Sequence, residues 1–569
     1  MLSRMRVPDR AKPGLLAWLL LAEFLVLPAA PRLALAQVTT AEDAAVAPPP
    51  QSLRAEIAAA APDAVIPIQI PTGGDGSSID LADSLVFSRS VTIDNADPAF
   101  DLFPIQAPEA GAFLEIGSDV TLTLQDVGLL SDPANPDGMI DLQSATSVLV
   151  VAPSREDQTI DADLVGLGSL VKQGSAALDL RGVNSFSGGI TVEEGDLIGD
   201  VVSFATVGMG NITLAPNAAS TTARIVFDIG AAGDTLAAAG PAFLADETSG
   251  GSAVFVKRGA GELDVRATPM IDFDIDFDIE SGTLVVNGAT LMKMTDDMMG
   301  GMTIETRDFQ VRSGGSLAIR GITPDLAGSL QGGGSVEFTP STGFFGVGFL
   351  TLSGDLSAFT GDLRIRRAPG GGAISGAILR PDTPPTAPLE FSVDLDSNTS
   401  LDVVDNGTVN LTLAGDISGA GQLNKTGTGT TRLTGTATHT GGTLVGQGTL
   451  IGDTRNLQRA IVVSNDAELQ FDQSSDGTFM GSITEQTSGG TILVRKVGAG
   501  TLTLASDQPF AGRFEVDDGG LIFGNGVDLT SAAADLVIGN NDANRATLST
   551  PFLSGGSQGA NTVNIGGDL

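Results

Sequence analysis

The stretch NKTGTGTTRLTGTATHTGGTLVGQGTL, Asn424 to Leu450, decides how this chain is read. It holds the chain's one histidine, His439, among glycines and threonines, and it recurs. VKQGSAALDLRGVNSFSGGITVEEGDL runs from Val171 to Leu197, and RKVGAGTLTLASDQPFAGRFEVDDGGL from Arg495 to Leu521. Anchored on Lys172, Lys425 and Lys496, the copies place Leu180, Leu433 and Leu504 at one position, Phe186, His439 and Phe510 at the next, and Leu197, Leu450 and Leu521 at the last. A fourth copy opens with VKRGAGELDV at Val256, passes through Val265 and Ile271, and stretches by two residues to reach Leu284. A fifth, within 346–365, keeps Leu352, Phe359 and Gly361 but has no lysine. His439 therefore stands where other copies carry Phe or Ile. A catalytic histidine needs a nucleophile and an orienting carboxylate converging on it, and the local sequence supplies neither.

Around these copies, short alternating runs such as SVTID, VTLTL, NLTLAG and TLTLAS are punctuated by Gly, Asn, Asp and Ser. That is the pattern of strands of about five residues closed by tight turns. A unit of about 25 residues with two or three such strands is the size of one coil of a parallel β-helix. A single coil leaves its strand edges unpaired, so coils must stack, at about 4.8 Å each, burying a column of Leu, Val, Ile and Phe. The expectation is an all-β solenoid from residue 66 to 569, roughly 20 coils and a rod of order 100 Å.

Composition agrees with an extended, soluble body. Acidic side chains outnumber basic ones 68 to 30, a formal charge of -38, which repels nucleic acid and anionic membranes. With 42% hydrophobic residues the chain has the material for a long core and is no disordered polyelectrolyte. The absence of cysteine excludes disulfides, thiolate nucleophiles and cysteine metal sites. Residues 1–36 read as a secretory signal peptide: Arg4, Arg6, Arg10 and Lys12 precede GLLAWLLLAEFLVL, and Ala34 and Ala36 form an A-x-A cleavage site. Its removal leaves a charge of about -41. Residues 37–65, rich in Ala and Pro, read as a spacer with a short helix around Leu53 to Ala61.

Chemistry-bearing candidates are few. In IDFDIDFDIE, a strand would put Asp272, Asp274, Asp276, Asp278 and Glu280 on one face, a weak calcium candidate beside the reading of a solvated acidic face over a core stripe. GGDGSSIDL at Gly73 has Ser78 where the calcium nonapeptide needs Asp. LMKMTDDMMGGM at Leu291 fits a Met-rich insertion better than a Cu(I) site. GFFGVGFL at Gly343 precedes a strand-like run, where a nucleotide loop would precede a helix. No catalytic residue, metal site or cofactor is assigned.

The pattern K-x-G-x-G-x-L-x-L … F-S-G-G-x-x-V-x-x-G-x-L resembles the passenger-associated strand repeat of bacterial autotransporters, secreted by the type V route; the match is specific in the copies at Lys172, Lys425 and Lys496. The resemblance implies a right-handed parallel β-helix that passes through the periplasm to the cell surface, the outer membrane or the medium. It further implies attachment to a host surface, matrix or neighbouring cells, and a C-terminal barrel translocator. A membrane barrel wants Tyr and Trp girdles, whereas this chain has no Tyr and only Trp18, so the barrel is expected to be absent from it. Two alternatives stay open: a β-helical polysaccharide hydrolase or lyase working with carboxylates alone, and a two-partner exoprotein.

Overall fold

The computed structural model describes most of residues 49–538, Val38 and a few positions near it, and the strands Ala546–Ser549 and Thr562–Ile565; 1–37, 70–77, 132–134, 205–209, 267–270, 288–292, 297–301, 341–346, 368–373, 487–491, 528–533, 539–545 and 550–561 are the main stretches outside it. The signal peptide reading, the GGDG of the nonapeptide-like run, Phe510 and much of the methionine run fall outside the described residues.

Alternation becomes burial directly. Val91–Asn95, sequence VTIDN, buries every second side chain, because successive side chains of a strand point to opposite faces. With only one face apolar, such a strand must lie on a core, and here it lies on its own neighbours. Ala64–Ile68 pairs with Val91–Asn95, that strand with Thr121–Gln125, and the stack climbs through Val148–Ala152, Ser169–Lys172, Ile190–Val192 and Ile212–Leu214 to Phe243–Ala245. Partners lie about one coil apart in sequence and all of these pairings are parallel. Four further stacks of eight strands take over in turn, the last ending at Thr562–Ile565. This is a parallel β-helix; among the described residues strand makes up 51% and helix 3%.

Register stacks like on like. Leu178, Leu197, Ile225, Phe255, Phe277, Phe309 and Leu330 occupy one inward column. Its phenyl rings lie 5.3 Å (Phe255–Phe277) and 5.2 Å (Phe277–Phe309) apart, within the favourable range for aromatic pairs. Each such fully buried side chain contributes about 1.5–3 kcal/mol.

Among the described residues, one strand pairing departs from the parallel pattern: Lys293–Asp296 runs antiparallel to Met302–Glu305. These two strands lie in and beside the Met-rich run and, among the described residues, pair only with each other in a two-stranded sheet, apart from the parallel sheets. Val347–Leu352 is a strand of the fourth stack, consistent with reading GFFGVGFL as no nucleotide loop.

The expected spacer does more than connect. Its helix forms at Leu53–Ala59, with the Ser52 hydroxyl accepting from Ala55 N as N-cap. Leu53 and Ile57, four apart and so on one helix face, are buried, and Arg54 holds Asp43 at 2.7 Å. Val38 is buried against Ile68. The helix thus covers the first coil, as solenoid ends require. No helix among the described residues is long and apolar enough to cross a membrane.

Candidate functional site

The repeat copies carry a feature that sequence reasoning used as a ruler without giving it a role. Lys172, Lys257, Lys425 and Lys496 are all fully buried, in inward columns otherwise held by Val, Leu, Ile and Phe. A buried ammonium must have its three protons accepted. Lys172 Nζ donates to the carbonyls of Gln173 (2.8 Å), Gly174 (2.6 Å) and Glu194 (2.9 Å). Lys257 uses Arg258, Gly259 and Ser281 in the same way, and Lys496 uses Val497, Gly498 and Asp518. Lys425 differs: it donates to Gly427 O and Gln447 O and forms a 3.1 Å ion pair with Asp405, a carboxylate as deeply buried as the lysine.

Each lysine therefore ties its own turn to the next coil. The distant carbonyl always precedes a glycine at positive φ: Gly195 (74°), Gly282 (69°), Gly448 (67°) and Gly519 (75°). Only glycine adopts that conformation without steric cost, and it turns the preceding carbonyl toward the ammonium. At Gly282 a Cβ would also sit 2.8 Å from Lys257 Nζ. Burial lowers Lys172 and Lys257 to about 8, with neighbouring carboxylates opposing the shift (Glu194, Asp196 and Asp157 for Lys172, Asp228 for Lys257). At neutral pH they stay cationic. The signal was present in the sequence as K-x-G followed by the glycine of the next turn, and the fourth copy shares the geometry although its spacing is stretched.

His439 takes its repeat position. It is buried, as Phe186 is, with Thr436, Thr438 and Thr440 pointing outward beside it. Its Nε2 lies 3.1 Å from Thr443 Oγ1, itself buried, and among the described residues no carboxylate hydrogen-bonds to the ring. Burial holds the imidazole below its ordinary value; a backbone hydrogen bond with Gly442 opposes this and the charge of Arg459 adds to it. His439→Phe should accordingly cost less than about 1.5 kcal/mol, a swap of similar shape in a packed site. A sign follows for pH. The unfolded chain binds the proton at about 6.5 and the fold binds it less tightly, so this contribution is complete above pH 6.5 and is lost as pH falls below it. Comparative unfolding of the two proteins should show a difference that is flat above pH 6.5 and moves against the wild type below it. A flat difference down to pH 5 would refute the assignment.

The acidic run is broken by a coil corner. The strand begins at Ile275, so only Asp276 and Asp278 lie on its outward face; Asp274 sits in an exposed turn and Asp272 precedes it. The expected five-carboxylate face does not form, because ten residues exceed one strand of this coil. Arginines meet the acids instead. Asp278 receives Arg312 (2.6 Å) and Arg224 (3.3 Å); Glu280 receives Arg258 (2.8 Å) and Arg224 (3.2 Å). Burial alone would raise Glu280, but Arg258 and Arg224 hold it below the usual carboxylate range, while Asp276 is raised by burial. Among the described residues no group of three or more His, Asp or Glu converges as a metal site.

The same device repeats along the rod. Arg366 spans Glu337 (3.3 Å), Asp394 (2.7 Å) and Asp396 (3.4 Å) on successive coils, and Arg495 spans Glu468 (3.1 Å), Glu515 (3.2 Å) and Asp517 (3.6 Å). Stacking in register brings like charges within one coil spacing, and each arginine offsets that repulsion. Singly these partly exposed pairs contribute about 0.2–1 kcal/mol. What results is a long surface on which arginines and carboxylates of successive coils are paired.

Comparison with known proteins agrees with this geometry. The passenger-associated-transport-repeat family matches residues 170–198, 423–451 and 494–522, the three copies anchored on Lys172, Lys425 and Lys496. Over 137 residues the chain is 31% identical to "Adhesin BmaC autotransporter" of Brucella suis biovar 1 (strain 1330). That alignment takes in 23% of this chain and 4% of the relative, so the chain spans a small part of the relative's length. No solved structure matches. Its stacked coils, its three passenger-associated-transport repeats and its likeness to the Brucella autotransporter support an autotransporter passenger, with export to the cell surface or outer membrane or secretion.

Proposed function

We propose that the passenger works by presentation: it is a stalk or adhesin whose coil faces contact a host surface, a matrix or neighbouring cells, mediating attachment or autoaggregation. The observation that supports this most is the repetition of ordered polar ladders, such as those on Arg224, Arg366 and Arg495, on the stacked coils. Repeated weak contacts on a stiff body add by multivalency, so no single deep pocket is needed. The name of the Brucella relative, an adhesin, points the same way. Calcium plays no part in this reading, because Asp278 and Glu280 already have arginine partners.

Deleting the gene from the producing organism should reduce attachment or autoaggregation, and restoring it should return them. Unchanged attachment, together with sugar release from polysaccharides by the purified passenger, would replace this reading with the carboxylate hydrolase or lyase. Loss of that turnover on single Asp substitutions would identify its acids.

A further inference from the structure

In a chain so rich in acids, the described arginines named above each meet carboxylates. Arg459 is an exception. It is exposed, and among the described residues it makes no ion pair. It is also one of the few non-glycine residues in the left-handed region, at φ 68°. Strain of this kind persists only where the surroundings hold it, and here they do. The loop bearing Arg459 is pinned from below by buried amides: Asn456 Nδ2 donates to Leu433 O (3.0 Å), its Oδ1 accepts from Asp453 N (2.7 Å), and Gln473 Oε1 accepts from Thr454 N (3.1 Å).

This rigid loop faces the outward side of the His439 segment across a cleft of about 410 Å³, lined by Thr436, Ala437, Thr438, Arg455, Gln458 and Arg459. That volume suits one small organic ligand. Arg455 is engaged by Asp453 at 2.7 Å, so Arg459 supplies the uncompensated charge. A guanidinium with free donors matches a carboxylate in the plane of its fork, and the threonine hydroxyls, with the Gln458 amide oxygen (its nitrogen already donates to Thr454 O), offer the neutral donors and acceptors that a ring of hydroxyls requires. A singly charged ligand meets far less of the chain's overall repulsion than a polyanion would.

We propose that this cleft binds an acidic sugar, its carboxylate held by Arg459 beside Arg455 and its hydroxyls by Thr436, Thr438 and Gln458. The site stands whether or not the passenger mediates attachment, because the test uses purified chain and no cells. The lone histidine is a built-in reporter. His439 lies on the inward side of the same segment, and the charges about the cleft are Arg455, Arg459, Asp453 and Asp416, the last accepting from Thr436 N at 2.7 Å. A carboxylate on Arg459 removes a charge that disfavours the imidazolium, so binding raises the His439 pKa.

The experiment is NMR titration of histidine-labelled protein with glucuronate, glucose or inorganic sulfate at matched ionic strength, with calorimetry for affinity. Glucuronate should bind saturably and raise the His439 titration midpoint, and glucose and sulfate should do so far less. Arg459→Gly, which relieves the positive φ and so keeps the fold, should bind glucuronate roughly 10- to 100-fold more weakly. No saturable binding of glucuronate at about 10 mM, well above a millimolar Kd, would overturn the proposal. So would unchanged affinity in Arg459→Gly. Sulfate binding as tightly as glucuronate would show an oxyanion site without sugar recognition and would equally overturn it.

Discussion

Replacing Lys425 with methionine should destabilise the coils around residues 405–450 by roughly 3–5 kcal/mol, the range for breaking a buried ion pair from one side. The methionine stem fills the column, but Asp405 is left fully buried with only Gly429 N and Thr431 Oγ1 as donors, and the carbonyls of Gly427 and Gln447 lose theirs. Lys172→Met strands three carbonyls and no carboxylate, so its cost should be smaller, about 1–3 kcal/mol. Adding Asp405→Leu to Lys425→Met should recover part of the loss, because the apolar pair leaves no buried charge. Local hydrogen exchange is the measurement, since damage in a solenoid stays near neighbouring coils. Equal costs for Lys425→Met and Lys172→Met would remove Asp405 from the account.

Phe277→Ala should cost about 3–5 kcal/mol, the upper range for losing a buried ring. Phe277 sits between Phe255 and Phe309 in a column fixed by parallel register, and Arg307 lies over its face at 4.8 Å. Strands hydrogen-bonded on both sides cannot close the gap, so the void stays open. The buried Arg307, already drawn down to about 10 by its burial, loses a cation–π partner as well. Denaturant unfolding should show an early transition confined to these coils. A cost below 1 kcal/mol would mean that the column repacks and that register does not hold the rings.

The coils were legible in the sequence because period and turn chemistry coincide. Leu180, Leu433 and Leu504, expected at one position of a repeat, are all buried. His439 was legible for the same reason, its place being set by comparison with Phe186. The acidic run was not, because perfect alternation carries no mark of where a coil turns its corner, and the turn at Asp274 interrupts it. The lysines escaped because their partners are backbone carbonyls of the next coil, which a sequence does not display. Arg459 could not be singled out by sequence alone. What sets it apart is a backbone angle and the lack of an ion-pair partner among the described residues, and both exist only in the folded chain.

The claim that this passenger attaches by its own surface is tested most directly by coating beads with the purified secreted chain and counting their adhesion to cells and matrix, with soluble chain as competitor. The account predicts adhesion well above that of uncoated beads, lost when soluble chain is added. Coated beads that adhere no better than bare ones, on surfaces to which the producing cells do attach, would contradict it.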